Sequence, residues 1–305
     1  MRLPSWLAQH LAALRVLAVL TIVFGLAYPL VVTAAAQVPG LKDKADGSYV
    51  SIDGKQVGSS LIGQAFTDKD GNPLKQYFQS RPSAAGDGYD MTSTSASNLG
   101  PESILDTLPD PKIVAAGKTD DNAKSSLLST VCARSVAVGQ LEGVDGSRPF
   151  CTSGGVGAVL SVIGLRNAQG NVEHPTKVVS VNEEAGVVSK PFISTYKGVT
   201  VELAQYGQDY SAGQIVPIRG SAPASPKVPA DAVAASASGL DPDISPAYAE
   251  LQAARVAKTR GITVDQVKKA IKDNESGRTL GFMGQPRVNV LKLNLELDDK
   301  YPYQG

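Results

Sequence analysis

The longest uncharged stretch of the sequence lies near the amino end and begins with VLAVLTIVFGLAYPLVVTAAAQ, Val16–Gln37. A bilayer core about 30 Å thick needs about 20 apolar residues in a helix, whereas the apolar part of a signal peptide has about 7 to 15. Length therefore favours a transmembrane helix over residues 16–36. A signal peptide cleaved after Ala36 stays open as an alternative, because the three alanines 34–36 fit the small-residue pattern of a cleavage site.

The charges around this stretch predict how it would cross a membrane. Arg2 and Arg15 are the charged residues that precede Lys42, and basic flanks are retained on the cytoplasmic side. We therefore expect residues 1–15 to form a short cytoplasmic tail and the bulk of the chain to be extracytoplasmic. The sequence has no second apolar stretch of comparable length, so it predicts a single pass through the cell membrane.

Four residues inside the predicted helix bear on how it packs. Gly25 and Ala27 are small enough to let a partner helix approach closely, and Pro29 is tolerated where neighbouring groups satisfy the freed carbonyl. Tyr28 either marks packing against a partner helix or faces lipid.

Composition argues against several classes of function. Basic and acidic residues are close to balance, which gives no footprint for a nucleic-acid partner. The chain has two histidines, His10 and His174, so we predict no metal site. Neither a phosphate-binding loop nor a nucleophile paired with a base is recognisable, and we predict no catalytic residues and no cofactor bound by this chain. A binding or organising role is therefore favoured over an enzyme.

Two cysteines, Cys132 and Cys151, lie in the predicted extracytoplasmic portion. An oxidising compartment would allow them to form a disulfide. The alternative is that both are small buried hydrophobic residues.

The remainder of the chain predicts a mixed α+β fold. Strand-favouring residues on both sides of Asp53-Gly54 predict a hairpin. Residues 109–226 contain short strand-like runs, including two strands around a glycine-rich turn in SVAVGQLEGVDGSRPFCTSGGVGAVLSVIGL, and we interpret them as an inserted β-rich subdomain. The α+β domain itself is predicted to consist of residues 37–108 and 227–305.

The last part of that domain is predicted to contain two helices and a strand. Ser245 and Thr263 stand at capping positions of two helical segments. In PRVNVLKLNLELDDK, leucines alternate with polar residues at positions 291 to 298, which is the period of a strand with one buried face.

Four sequence blocks together resemble KdpC, a component of the Kdp potassium-transporting ATPase. They are the membrane segment with YPLVVT; GSSLIGQAF; YFQSRPSA with SASNLGP; and SASGLDPDISPAYAELQAARVAKTRGITVDQV with GFMGQPRVNVLKLNLELD. The blocks occur in the family's order over about three fifths of the chain. The predicted insertion is the departure, because the shorter and commoner members of the family lack it.

The resemblance implies a non-catalytic accessory subunit of a high-affinity potassium import complex. Its implied partners are the channel-like potassium component KdpA, the P-type ATPase KdpB, which hydrolyses ATP, and the small component KdpF. The family's segment is retained in the lipid bilayer, and KdpC has been described as a catalytic chaperone that raises the ATP affinity of KdpB. Because so little of this chain is predicted to be cytoplasmic, we favour a role at the outer mouth of KdpA over direct contact with ATP.

On this hypothesis, two loops would meet KdpA and line the approach of potassium. The predicted contact residues are Ser95, Ser97, Asn98, Gly100, Ser236, Ser238, Gly239 and Asp241. In the alternative interpretation both loops are hydrogen-bonded turns, and Arg81 and Asp241 form an internal ion pair. Two rival functions are an anchored extracellular binding module and a hydrolase that uses the serine-rich loops.

Overall fold

A computed structural model describes residues 4–52, 54–85, 92 and 99–304. The chain divides into two compact units, Met1–Ile62 and Gly63–Gly305. The helices and strands of the first unit are α1 (Ser5–Ile22), α2 (Tyr28–Ala36), α3 (Lys42–Ala45), β1 (Tyr49–Ile52) and β2 (Lys55–Ser59).

One long helix dominates the first unit. A π turn, Val23–Ala27, joins α1 to α2, so that Ser5–Ala36 is a helix of 32 residues. Pro29 explains the π turn, because its ring would clash with the carbonyl one ordinary turn earlier and it has no N–H to donate. The helix contains the predicted span and begins earlier, within the predicted tail. It is long and apolar enough to cross a membrane, as the sequence predicts.

The predicted hairpin of the first unit is confirmed. Strands β1 and β2 are antiparallel, with Ile52 opposite Lys55 at the turn end. Gly54 has a φ of +75°, which suits the tight turn. Asp53, the other predicted turn residue, lies outside the described residues.

The second unit combines a five-stranded sheet with a group of helices. Its elements are α4 (Pro111–Ala115), α5 (Leu127–Glu142), β3 (Val159–Ile163), β4 (Lys177–Glu184), β5 (Thr195–Tyr196), β6 (Val199–Ala204), β7 (Gln214–Pro217), a 3₁₀ turn (Ala230–Ala232), β8 (Asp243–Ile244), α6 (Pro246–Arg260), α7 (Val264–Asp273), β9 (Glu275–Ser276), β10 (Arg287–Asn289) and α8 (Val290–Lys300).

The sheet has the strand order β5-β6-β4-β3-β7 and lies within residues 109–226, where the sequence predicts strands. Strands β4 and β6 are parallel, and the other neighbours are antiparallel. Alternate residues of β3 face opposite sides: Leu160 and Val162 belong to one apolar cluster, and Val159 belongs to another. Both faces of the sheet are therefore covered.

Helix α5 takes the place of the first of the two predicted strands, whereas β3 confirms the second. Ser126 caps its start through a bond from the Ser129 N–H, and Gly143 ends it with a φ of 68°. Its buried residues are Ser129, Cys132, Ser135 and Gly139. These small residues recur every three or four positions, so they form one closely packed helical face. The β-branched residues around Val136 suggested a strand, but tertiary packing overrides that weak preference.

The helices α6 and α7 confirm the predicted pair with its caps. The Ser245 hydroxyl accepts a bond from the Tyr248 N–H, and Thr263 and Gln266 form a capping box. Both helices contribute to the largest apolar cluster, in which Ala253, Val256 and other residues are fully enclosed.

Helix α8 shows that the predicted carboxy-terminal strand is wrong. Within that segment Arg287–Asn289 pair as a short strand, and the Asn289 side chain then caps the helix. The buried face is formed by Val290, Leu291, Leu293, Asn294 and Leu297, which have helical spacing. The sequence pattern did not reveal this buried face, because Asn294 near its centre is polar and the neighbouring leucines alternate with polar residues. Asn294 is fully buried and binds the backbone of Phe78 through its side-chain carbonyl and its amide group.

Glu184, at the end of β4, gives a prediction about pH. It is 5% exposed, and its Oε1 has no hydrogen-bond partner. Burial, together with the nearby Asp110, raises the pKa of the Glu184 carboxyl. Because the folded pKa lies above the unfolded value, the native state loses stability as pH rises from the unfolded pKa through the folded pKa.

We therefore expect Glu184→Gln to raise the free energy of unfolding at pH 7 by about 1 kcal/mol, because no buried charge has to be accommodated. Urea unfolding of the full chain in detergent checks this when it is measured at two pH values, one near the ordinary pKa of a glutamate and one well above it. The gain should be larger at the higher pH. Equal gains at both pH values would show that Glu184 does not titrate as expected.

Candidate functional site

The candidate site is a pair of loops, residues 81–84 and 233–241, which we call the loop pair. Arg81 joins them, because its guanidinium donates to Asp241 Oδ2 at 2.7 Å and to the carbonyls of Ala234 and Ala235 at 3.2 Å each. Asp241 thus lies in an internal ion pair, as one of the two interpretations of the sequence predicts. The Asp241 side chain is 50% exposed, so solvent screens the pair and its contribution to stability is small.

Backbone hydrogen bonds hold the two loops together. The Ser236 N–H donates to the Pro82 carbonyl at 2.8 Å, and the Ala84 N–H donates to the Ser236 carbonyl at 3.2 Å. Ser83 and Ser236 thereby form a parallel bridge. Ser236 is buried by this pairing, Ser238 is half-buried, and Asp241 is exposed.

Arg134, on α5, supports both loops from one side. Its guanidinium donates to the Val233 carbonyl at 3.1 Å and to the Ser83 carbonyl at 3.3 Å, and burial lowers its pKa. The sequence reasoning missed this residue. Its partners are distant in sequence, so local spacing carried no signal for it.

Gly63 and Gly239 allow the close approach of another segment. The Gly63 N–H donates to the Leu240 carbonyl at 2.8 Å, and a Cβ at Gly63 would lie 2.5 Å from the Asp241 carbonyl oxygen. Gly239 has a φ of +75°, a conformation that a larger residue adopts only at a cost.

Gly63→Ala is expected to lower the free energy of unfolding by about 1 to 3 kcal/mol, because the new methyl group would displace the backbone at Asp241. Urea unfolding of the full chain in detergent measures the change. Gly277→Ala is the matched control, because Gly277 has an ordinary φ and nothing lies within 4 Å of the position that its added methyl group would occupy. Equal effects of the two substitutions would contradict the close packing of Gly63.

A buried polar cluster holds the segment that leads into the loop pair. Arg255 donates to the carbonyls of Lys75 and Tyr77, and Arg260 donates to that of Gln76. The Gln79 N–H donates to the Gln252 side chain. Arg255 also bonds to Glu142 of α5. We call Glu142, Gln252, Arg255, Arg260 and Asn294 the polar clamp. Sequence reasoning assigned these residues no role, although charged residues within an otherwise apolar helical face are a general signal of such a cluster.

The structure places the other predicted loop residues differently. Ser95, Ser97 and Asn98 lie outside the described residues. Gly100 is in a turn whose carbonyl accepts the Ser103 N–H. No described contact links Gly100 to residues 236–241, and the predicted contact of both loops with KdpA stays a prediction.

The predicted packing residues of the membrane helix lie at its π turn. Gly25 and Ala27 are two positions apart, so they point to nearly opposite sides of the helix and cannot serve the same partner helix. Thr21 shares the side of Gly25, with its Cγ2 3.8 Å from a Cβ placed there. Tyr28 and Pro29, three and four positions later, lie towards the same side.

Cys132 and Cys151 are joined by a disulfide with Cα atoms 5.5 Å apart. The pairing is the first of the two alternatives that the sequence offers. It connects α5 to the segment before β3, where Cys151 forms a bridge with Gly157.

These contacts make the loop pair a rigid polar surface. The carbonyls of residues 234–236 accept hydrogen bonds from within the unit. Among the described residues, no group of three or more His, Cys, Asp or Glu side chains could hold a metal ion. The geometry suits contact with another protein, which needs a preformed surface.

Comparisons with known proteins agree with this architecture. A family model described as KdpC, the c chain of the K⁺-transporting ATPase, matches residues 10–123 and 200–299. The loop pair lies within these matched residues. The unmatched stretch, residues 124–199, lies inside the predicted insertion.

Curated relatives match over almost the entire chain, each under the name potassium-transporting ATPase KdpC subunit. The protein of Beijerinckia indica is 34% identical over 284 residues, 93% of this chain and 90% of the relative. That of Kineococcus radiotolerans is 33% identical over 300 residues, 98% of each chain. That of Koribacter versatilis is 31% identical over 284 residues, 93% of this chain and 91% of the relative. The chain therefore belongs to the KdpC family and is an accessory subunit of a potassium-transporting ATPase complex.

Proposed function

We propose that this chain is a single-pass, non-catalytic subunit that stabilises the potassium import complex from outside the cytoplasm. The observation that carries the proposal is the helix Ser5–Ala36. This helix is strongly apolar, and its most apolar part is not buried by the rest of the chain. Residues 16–36 alone are long enough to cross a bilayer core at about 1.5 Å per residue. A surface of this kind is stable only in lipid or against other membrane helices.

The proposed orientation follows from the basic residues at the amino end. Arg2 and Arg15 would stay in the cytoplasm, and the unit from Gly63 onward would be extracytoplasmic. In this arrangement ATP, which is cytoplasmic, would be bound by KdpB. We propose no bound cofactor for this chain, and we assign potassium and ATP to the complex as a whole. The chaperone effect on KdpB would then be indirect.

The loop pair is the proposed contact with the channel-like KdpA. Its backbone bonds and the two arginines Arg81 and Arg134 support a fixed surface. KdpB and KdpF would complete the complex through the membrane region. Here Gly25 would let one partner helix approach on its side, and Ala27 would face another neighbour.

Growth at limiting potassium tests the proposed role. Deletion of the gene should abolish growth in medium with scarce potassium, and the wild-type gene should restore it. Gly25→Leu should reduce recovery of the complex while leaving the chain in the membrane, because it fills the approach surface. Gly25→Ala, which adds a single methyl group at the same position, is the matched control and should reduce recovery much less. Undiminished growth of the deletion strain would overturn the proposal.

Fusion of a reporter to the carboxy end tests the orientation. Alkaline phosphatase folds only in an oxidising compartment, because it depends on disulfides. We expect an active fusion to alkaline phosphatase and an inactive one when residues 1–36 are removed. An inactive full-length fusion would place the large unit in the cytoplasm and contradict the orientation.

A further inference from the structure

A short exposed hairpin in the second unit carries three large apolar side chains. Residues 276–285 are all exposed. Leu280 is 80% exposed, Phe282 71% and Met283 51%. Thr279 and Met283 pair through two backbone hydrogen bonds of 2.9 Å, which makes residues 279–283 a closed turn. We call these residues the apolar hairpin.

The apolar hairpin has a defined conformation. Leu280 has a φ of 54° and Gly281 a φ of 81°, both in the left-handed region. The Arg278 guanidinium donates to the Gly284 carbonyl at 2.7 Å and so closes the base of the hairpin. Because these bonds fix the turn, the apolar side chains are presented to the surroundings and do not fold back on the domain.

Clustering distinguishes this hairpin from the other exposed apolar residues of the second unit. Leu165 is 92% exposed and Val187 is 72% exposed, but Leu165 is a single residue in a loop and Val187 is a single residue in a turn. Single exposed apolar residues are common on protein surfaces, whereas a contiguous group marks an interaction site.

The charge around the hairpin indicates what it contacts. Residues 277–295 contain no Asp or Glu and three basic residues. Arg287 pairs with Asp243, and Lys292 is exposed on α8. Apolar side chains beside a basic residue such as Arg278 complement a bilayer surface that contains anionic lipids.

We propose that the apolar hairpin inserts Leu280, Phe282 and Met283 into the interfacial region of the bilayer, with Arg278 close to anionic headgroups. This inference rests on the proposed membrane anchor. Three apolar side chains bind a membrane weakly by themselves, and stable attachment needs a second signal. The helix Ser5–Ala36 is that signal, because it keeps the same chain at a high effective concentration near the lipid.

Tryptophan fluorescence in the full chain tests the insertion. Trp6 is the single tryptophan of the sequence, so Trp6→Phe combined with Phe282→Trp leaves one fluorophore at the hairpin. The chain is reconstituted into phosphatidylcholine–phosphatidylglycerol vesicles with brominated acyl chains. We expect emission from position 282 to shift to the blue and to lose most of its intensity. Trp6→Phe combined with Leu165→Trp is the matched control and should keep solvent-like, unquenched emission.

The outcomes separate this inference from the proposed anchor. In a third variant, Trp6→Phe combined with Phe24→Trp, quenching at position 24 reports that the amino-terminal helix is inserted, because residue 24 lies in the predicted span of residues 16–36. Quenching at position 24 without quenching at position 282 overturns the lipid contact alone. Absence of both overturns the anchor and the lipid contact together. If position 282 becomes shielded only when the other subunits are added, the hairpin docks on protein and the lipid contact is likewise overturned.

Discussion

Arg255→Ala is expected to lower the free energy of unfolding by about 3 to 5 kcal/mol, the range for breaking a buried ion pair by removing one partner. The side chains of Arg255 and Glu142 are 6% and 1% exposed. Removal of the guanidinium leaves the Glu142 carboxylate buried without its counter-ion. It also leaves the carbonyls of Lys75 and Tyr77 without these donors.

Urea unfolding of the full chain in detergent measures this loss. Burial already raises the pKa of Glu142, and Arg255 opposes that shift, so removing Arg255 should raise the pKa further. The variant should therefore recover part of its stability relative to the wild type as pH falls and Glu142 takes up a proton.

The control for Arg255 is Lys269→Ala, which breaks an exposed pair with Asp273. Exposed pairs contribute about 0.5 kcal/mol, so the control should change stability little. If Arg255→Ala lowered the free energy of unfolding by less than about 1 kcal/mol, the polar clamp would not depend on the Arg255 side chain. In that case the clamp would not be what holds the segment before the loop pair.

Removal of the disulfide is expected to lower the free energy of unfolding by about 3 kcal/mol, because Cys132 and Cys151 close a loop of intermediate length. The two cysteines are separated by 19 positions. The double substitution Cys132→Ala and Cys151→Ala removes the bond without leaving a free thiol. Urea unfolding with and without a reductant measures its contribution.

The double variant is also the control for the reductant, since these are the two cysteines of the chain. A reductant should destabilise the wild type and leave the double variant unchanged. Equal stability of the oxidised and reduced wild-type chains would contradict a structural role for the bond. Because disulfides form outside the cytoplasm, recovery of the oxidised form from cells also bears on the orientation.

Local signals in the sequence predicted the elements that depend on neighbouring residues. Ser245, Thr263 and Gln266 indicated the boundaries of α6 and α7, because capping is a short-range interaction. The turn at Gly54 indicated the first hairpin in the same way. The apolar stretch predicted the amino-terminal helix, since its length exceeds what a strand or a signal peptide needs.

Elements decided by distant contacts were predicted wrongly or missed. Asn294 is buried because it binds the backbone of Phe78. This tertiary contact favours a helix over the strand that the alternating leucines predicted. The buried residues of α5 are small and partly polar, so they did not produce a recognisable helical pattern of apolar residues. The β-branched residues beside them led to the prediction of a strand. At the candidate site, the pairing of Arg81 with Asp241 was anticipated as one alternative. The hydrogen bonds of Arg134 and the close contact at Gly63 join residues that are far apart in the sequence, so the spacing of residues could not predict them.

Affinity purification from native membranes tests the central claim most directly. The full chain, tagged at its carboxy end, is expressed at limiting potassium, extracted in mild detergent and recovered with whatever is bound. We predict a complex that contains a multi-span potassium channel protein together with a P-type ATPase and that hydrolyses ATP when potassium is added. Recovery of the chain alone, or from the soluble fraction, would contradict its role as a membrane-anchored component of the pump.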